Sequence, residues 1–248
     1  MKSIEKNKAK PKVSVIMAAY NAEKYISASI ESILNQSLKN LELIIINDSS
    51  IDKTLNIIKG FMKKDKRIKL INNKKNIYAT RSRNKGLDLA KGKYIAIQDS
   101  DDISLSKRLE IQANFLDKND KFFLVGSGAI IINEQDKEVG KFKPLSSPFI
   151  LSFALKLKNA IYHPTIMFRN SGEKYREKIY YAEDYDFYLM QLSKKRKLIN
   201  LKNYLVKYRI VKNSVSREKS TEQKKFAKLA RKFYWQRLIN GADGYYFL

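Results

Sequence analysis

The sequence predicts an α/β fold built on a mostly parallel sheet with helices on both faces. Three observations carry the prediction. Val13–Ala19, Leu41–Ile46 and Tyr94–Ile97 are near-continuous apolar runs of strand length, as strands covered on both sides require. Between the first two, apolar residues recur at helical spacing: Ile26, Ile30, Ile33 and Leu34. Strands and helices then alternate at a spacing that makes βαβ units with right-handed crossovers.

The elements follow in order. The first strand, Val13–Ala19, leads through Tyr20 and Asn21 into a helix over 22–35. The second, Leu41–Ile46, ends in Asn47-Asp48-Ser49-Ser50-Ile51-Asp52, and a helix continues to about Lys64. Ile68–Ile71 is a shorter third strand, and a helix over 78–90 is closed by Gly92. The fourth strand, Tyr94–Ile97, runs at once into Asp99, Asp101 and Asp102, then into Ser106 as N-cap of a helix reaching Leu116. Beyond it the pattern predicts strands over 122–125 and 129–132, a loop over 141–148 and a strand over 165–168. A helix over 183–194, strands over 197–201 and 204–210, and a basic helix over 218–240 complete the chain. No internal repeat or low-complexity linker separates the two halves, so they share one core.

Composition narrows the chemistry. A chain of 248 residues fits one large domain or two fused halves. The absence of cysteine excludes disulfides and thiolate metal sites, and a single histidine, His163, excludes multi-histidine zinc sites. Met1 to Lys12 is polar and lysine-rich, unlike a secretory signal, and no run approaches the ~20 apolar residues of a spanning helix. The expected location is the cytoplasm, with peripheral attachment to the inner face of the cytoplasmic membrane as an extension. Lys and Arg number 50 against 25 Asp and Glu, a net charge of +25, which attracts nucleic acid, an anionic bilayer or phosphorylated substrates alike.

Against that basic background, carboxylates gather at strand ends. Asp99 and Asp101 follow the fourth strand, and in extended backbone they point the same way with Cα atoms roughly 6.5 Å apart. Such a pair suits one hard divalent cation and the phosphates it accompanies. The plainer reading is a solvated acidic turn. Asp48 ends the second strand and Tyr20 the first. A tyrosine face and a carboxylate beside a crevice suit a planar base and its ribose. Separately, Tyr20 can pack on the sheet edge and Asp48 can cap the next helix; together, at the edge where open α/β sheets bind ligands, they favour a nucleotide. No Gly-rich phosphate loop of either common type is present, which argues against an ATPase, kinase or dehydrogenase. Glu183 and Asp184 open a helix, where acidic residues are ordinary capping. His163 reads as a buried or loop histidine bonded to backbone.

Several stretches together resemble the signature of family 2 glycosyltransferases. They are Val13-Ser-Val-Ile-Met-Ala-Ala-Tyr-Asn21, Glu42 through Asp52, Arg83-Asn-Lys-Gly86 and Tyr94-Ile-Ala-Ile-Gln-Asp-Ser-Asp-Asp102. The likeness continues through His163 to Arg169, Ala182-Glu-Asp-Tyr-Asp186, and Tyr208-Arg209 on to Ser214 and Ser216. It implies an inverting enzyme of the GT-A fold, with a Rossmann-like nucleotide-binding half, a fused acceptor half and a C-terminal helix. By resemblance, Ala19, Tyr20, Asp48, Arg83 and Asp99 lie around a nucleotide-sugar, usually UDP-linked. Asp101, with Asp99 on the metal side, holds Mg²⁺ or Mn²⁺ on the diphosphate, and Asp184 is the catalytic base. His163 and Glu183 fall on the acceptor side. The chain departs from the pattern at Ala18-Ala19, where Pro-Thr is usual, and at Asn47, where an aspartate is usual. Val211 stands where many members carry a histidine, with Lys212 as the candidate replacement.

The expected organisation is a basic extension over 1–11, a nucleotide-sugar half over 12–105, an acceptor half over 106–217 and a basic amphipathic helix and tail over 218–248. In the last, Phe226, Leu229, Ala230, Phe233 and Leu238 form the apolar stripe, and the helix either packs on the domain or lies on anionic lipid. The expected activity is transfer of a sugar to a glycan or lipid-linked acceptor in bacterial lipopolysaccharide or capsule synthesis. The rival readings are a sugar-1-phosphate nucleotidyltransferase, which needs a Gly-rich basic loop after the first strand, and a non-enzymatic nucleic-acid-binding protein, which a carboxylate-lined crevice disfavours.

Overall fold

The computed structural model describes residues 10–211 and 219–248. Four strands form the first half: β1 (Val13–Ala19), β2 (Leu41–Asn47), β3 (Ile68–Asn72) and β4 (Tyr94–Asp99). They pair in parallel in the order β3-β2-β1-β4. The helices between them are α1 (Ile26–Leu34), α2 (Thr54–Lys64) and α3 (Tyr78–Leu89). Alternate side chains of each strand feed opposite cores. Val15, Met17, Leu43 and Ile45 meet α1 residues Ile26, Ile30 and Ile33 on one face. Ile16, Ile44 and Ile46 join a second core on the other, so strands apolar at nearly every position bury both sides.

The second half extends the same sheet. β5 (Ile103–Ser104), α4 (Arg108–Lys118), β6 (Phe122–Ile132) and β7 (Glu138–Phe142) come first. They are followed by α5 (Pro148–Leu155), a 3₁₀ turn over His163–Thr165, β8 (Met167–Arg169), α6 (Glu183–Ser193), β9 (Lys197–Arg209) and α7 (Ser220–Asn240). The order becomes β3-β2-β1-β4-β8-β6-β9-β5, with β7 on β6. β8 runs antiparallel to both β4 and β6, which turns a parallel half into a mixed one. β1 lies between β2 and β4, so the strand order reverses at its carboxyl end, the place where such sheets open a crevice.

Several boundaries differ from the sequence reading. Helix α1 starts at Ile26, because Asn21 takes a left-handed φ of 48° and the next amides serve the α2 loop. Ala22 N donates to Thr54 Oγ1 at 2.8 Å and Glu23 N to Asp52 Oδ2 at 3.0 Å. Ser106 is not the N-cap of α4: Lys107 is, and the Leu109 amide donates instead to Gln36 Oε1 at 3.0 Å, a distant side chain. The two short strands over 122–132, and the two over 197–210, are each one long strand with register shifts or bends inside the pairing. The expected loop over 141–148 holds the end of β7, and α5 follows with Pro148 at its first turn and Ser147 Oγ accepting from Ile150 N. In the tail, Tyr234 rather than Leu238 joins Ala230 and Phe233 inside, and α7 packs on α6.

Candidate active site

A cleft of about 1070 Å³ opens at the carboxyl ends of β1 and β4. Tyr20, Tyr78, Arg83, Asp99 and Asp101 line it from the first half. Asn159, Tyr162, His163, Glu183, Asp184 and Tyr208 line it from the second. Three lining residues that are not glycine, Asn21, Tyr78 and Tyr181, hold left-handed backbone at φ between 48° and 68°. Strain of this kind persists where the surrounding structure dictates it, and it gathers at binding sites.

Helix α3 organises the cleft through four consecutive residues, each about 100° further round the helix. Gly86 faces the sheet: a Cβ there would meet Ile16 Cγ2 at 2.7 Å and Ile46 Cδ1 at 2.8 Å. The helix therefore sits close on β1 and β2 only with glycine there. Asn84 clamps the chain of the other half, donating from Nδ2 to Tyr175 O at 2.9 Å and accepting from Tyr175 N at 3.0 Å. Lys85 donates to Asn73 Oδ1 at 2.7 Å, and Asn73 donates to Asp48 Oδ1 at 2.8 Å. Arg83 reaches into the cleft, donating to Asp99 Oδ1 at 3.0 Å and to Glu183 Oε1 at 2.9 Å. Burial opposes its charge, but Asp99 and Glu183 more than offset this and raise its hold on the proton.

The carboxylates separate into distinct roles. Asp101 is pushed up to about 6, first by burial and then by the charge of Asp99. Two mutually repelling carboxylates on one cleft fit a hard divalent cation, which would relieve both. Asp102 is buried: Oδ1 accepts from Arg209 N at 2.8 Å, Oδ2 has no hydrogen-bond partner, and burial raises it well above the usual carboxylate range. Arg209 in turn donates from Nε to Asp101 O at 2.8 Å, which ties the acidic turn to the end of β9. Asp48 is buried behind the rim, where its Oδ1 also accepts from Ile77 N at 3.0 Å. It thus holds the start of α3 rather than capping α2. Ala19 is buried beside it, its carbonyl accepting from Asp48 N at 2.8 Å, and neither residue lines the cleft.

On the opposite wall, Asp184 Oδ2 accepts from Asn159 Nδ2 at 2.8 Å and Oδ1 from Tyr185 N at 2.7 Å. Burial, and then the charge of Glu183, pushes its carboxyl up to about 7. His163 is buried, and its partner is a side chain rather than backbone: Nε2 and the Tyr175 hydroxyl hydrogen-bond at 2.8 Å. Burial drives the imidazole well below its usual range, so it is neutral. Phe142 and Tyr208 flank Tyr162 with ring centroids 4.1 and 5.1 Å away, giving an aromatic wall. Val211 lines the same side; Lys212, Ser214 and Ser216 lie outside the described residues.

The model of the family described as "Glycosyl transferase family 2" matches residues 14–176. The chain belongs to that family. A glycosyltransferase of Methanocaldococcus jannaschii, described as uncharacterized, is 37% identical over 96% of this chain and 84% of its own. An Escherichia coli relative named UDP-Glc:alpha-D-GlcNAc-diphosphoundecaprenol beta-1,3-glucosyltransferase WfgD is 36% identical over 86% of this chain and 83% of its own. Among solved structures, residues 1–349 of S. aureus TarS in complex with UDP superpose with a TM-score of 0.69 at 20% identity, over 92% of this chain and 71% of that one. The mannosyltransferase PcManGT of Pyrobaculum calidifontis, in complex with GDP-Man and Mn²⁺, gives 0.64 at 15% identity, over 86% and 61%. The structural likeness establishes the GT-A fold for this family member.

The cleft unites most of the residues the sequence singled out. Tyr20, Arg83, Asp99, Asp101, His163, Glu183 and Asp184 all line it. The sequence reading missed Tyr78, which is 65% exposed on the same rim as the half-exposed Tyr20. It also missed Asn159, the partner of Asp184, and Arg108. The Arg108 guanidinium is fully buried and donates to Ile97 O at 2.8 Å and Ile166 O at 3.2 Å, stapling β4 to the second half of the chain. The Arg83-Asn-Lys-Gly86 motif held a clue to the α3 network, while nothing near Asn159 in sequence marks it.

Proposed function

We propose that this family 2 glycosyltransferase moves a sugar from a UDP-linked donor to a hydroxyl of a glycan or lipid-linked acceptor, with inversion at the anomeric carbon. The observation that carries the reading is Asp184: a carboxylate held by Asn159 on the wall facing Asp99 and Asp101, with its proton affinity raised to about 7. A general base works best with a pKa near the operating pH. Asp184 takes the proton of the attacking hydroxyl, while the leaving diphosphate lies toward the opposite wall. Tyr20 and Tyr78 offer rings to the nucleotide base, and the Phe142, Tyr162 and Tyr208 wall suits the apolar face of an acceptor sugar.

Asp99 and Asp101 would hold Mg²⁺ or Mn²⁺, which when bound neutralises charge on the departing diphosphate. Among the described residues no group of three or more His, Cys, Asp or Glu side chains forms a cation cage. Two carboxylates completed by substrate phosphate oxygens match the way Mg²⁺ is commonly held. PcManGT, of like fold, binds Mn²⁺ with its nucleotide-sugar. Arg83 keeps Asp99 oriented and joins it to the acceptor helix through Glu183.

The relative WfgD acts on a UDP-sugar and a diphosphoundecaprenol-linked acceptor, which supports a UDP donor, a lipid-linked acceptor and a place in bacterial surface polysaccharide synthesis. Such an acceptor would bring the protein to the cytoplasmic face of the membrane as a peripheral protein. No helix among the described residues is long and apolar enough to cross a membrane. We assign residues 12–105 to donor binding and 106–217 to the acceptor, with 218–248 as a packed helix and tail and 1–11 as a basic extension.

The test is a panel of nucleotide-sugars scored for metal-dependent thermal stabilisation, since a ligand that binds the folded state raises apparent stability. UDP with Mn²⁺ is expected to stabilise the wild type and not Asp101→Ala, whose fold persists. Equal metal-dependent UDP binding by the variant would overturn the metal assignment.

A further inference from the structure

Helix α5 presents the wrong face to water. Leu151 and Leu155 are buried, but Phe149 is 83% exposed, Phe153 60% and Leu157, just past the helix, 61%. Three large apolar side chains on one short surface segment form a patch, not scattered surface residues. The segment over 139–172 contains no Asp or Glu, and Lys156 and Lys158 follow the helix beside Leu157. The patch is thus apolar in the middle and cationic at its edge.

Helix α7 adds to the same flank. The Tyr185 hydroxyl of α6 donates to Leu155 O at 2.7 Å; burial raises its proton affinity, and the Arg231 guanidinium close by lowers it. The side of α7 carrying Arg231 therefore faces α5. One and two turns away on that side stand Lys224, Lys228, Trp235 and Leu238, by i, i+4 and i, i+7 spacing. Lys224 and Lys228 are exposed, and Trp235 is half-exposed. An indole and phenyl rings beside lysines are the composition of a surface that lies at a bilayer interface, rings among the headgroups and ammonium groups on the phosphates.

We propose that α5, with the Arg231 side of α7, docks this protein on an anionic membrane leaflet. The proposal rests on the lipid-linked-acceptor reading above and adds which surface meets the lipid. Charge complementarity chooses the occupant. A second copy of the chain would set these lysines against lysines, whereas anionic headgroups neutralise them. Position supports the choice. The chain leaves α5 through Leu157 and Lys158 directly into Asn159, the residue that holds Asp184. Docking α5 would place the acceptor end of the cleft beside the membrane surface.

The experiment is flotation of the full-length protein with vesicles of phosphatidylglycerol and phosphatidylcholine, or of phosphatidylcholine alone, at low and high salt. Calorimetric UDP binding and sedimentation velocity accompany it. Wild type is expected to float with the anionic vesicles at low salt and to release as salt screens the lysines. Phe149→Ser with Phe153→Ser, and separately Lys156→Glu with Lys158→Glu, should each weaken vesicle binding by about tenfold or more while UDP binding persists. Should the phenylalanine variant misfold, the lysine variant decides. Wild type that ignores anionic vesicles, or variants that float as well as wild type, overturn the proposal. So does a wild-type dimer that the phenylalanine variant splits while neither floats, which would make this face a contact between copies. Flotation without any UDP binding supports the docking surface and overturns the donor reading beneath it.

Discussion

Arg83 and Glu183 meet at 2.9 Å across the cleft, and the other arm of the same guanidinium holds Asp99 at 3.0 Å. One largely covered side chain thus couples a carboxylate at the end of β4 to the first turn of α6, from opposite halves of the molecule. Guanidinium is planar and forked, so it can serve two carboxylates at fixed angles; an ammonium cannot.

Arg83→Lys should therefore fold but lose one of the two bonds. A hydrogen bond between charged groups contributes about 1.5–3 kcal/mol, so kcat/KM is expected to fall by roughly tenfold or more. Steady-state kinetics with saturating UDP-sugar will show it. Unchanged kinetics would mean that the bridge holds the halves together without tuning the site.

Asp184→Asn should separate binding from chemistry. The change is nearly isosteric, so UDP affinity should hold. Loss of a general base lowers kcat by about 10² to 10⁴. Glu183→Gln is the control: it weakens the Arg83 bridge but leaves Asp184 in place, so its defect should be the milder one. If Glu183→Gln is the dead variant and Asp184→Asn the active one, the base is misassigned.

The rate should follow the ionisation of Asp184. Its carboxyl is raised to about 7, and only the ionised form can accept a proton. Activity is therefore expected to climb as pH rises toward about 7 and then level, falling about tenfold per unit on the acid side. A pH–rate profile of wild type, with no such limb in the residual activity of Asp184→Asn, is the check.

Gly86→Ala should destabilise the fold. The added methyl meets Ile16 and Ile46 at under 3 Å, so α3 must move off the sheet or the isoleucines must shift. Overpacking of this kind lowers stability by about 1–3 kcal/mol, against a small gain in helix propensity. Thermal melts will measure the drop, and weaker UDP binding should accompany it, because Arg83 and the start of α3 move with the helix.

The parallel half was legible because each strand is a near-continuous apolar run and each helix keeps its period. Those are local properties, and the structure moved their boundaries by only a few residues. The strand-end acids and the tyrosine after β1 were legible for the same reason: a sheet delivers whatever follows its strands to one edge. By itself, then, the sequence determined the fold class, the family and most of the side chains around the cleft. It gave α5 no element of its own. Eight residues apolar almost all round show no period that distinguishes them.

The partnerships were decided only in three dimensions. Asn159 reaches Asp184, Arg108 staples Ile97 to Ile166, and Asn84 clamps Tyr175 across 91 residues of chain. Asp48 became a support for α3 because the loop before that helix folds back over it. Asp102 differs from Asp101 by one position, yet it is buried and Asp101 lines the cleft. A carboxylate's role depends on its burial and on which charges surround it, and both are set by chain segments that lie far away in sequence and close only after folding.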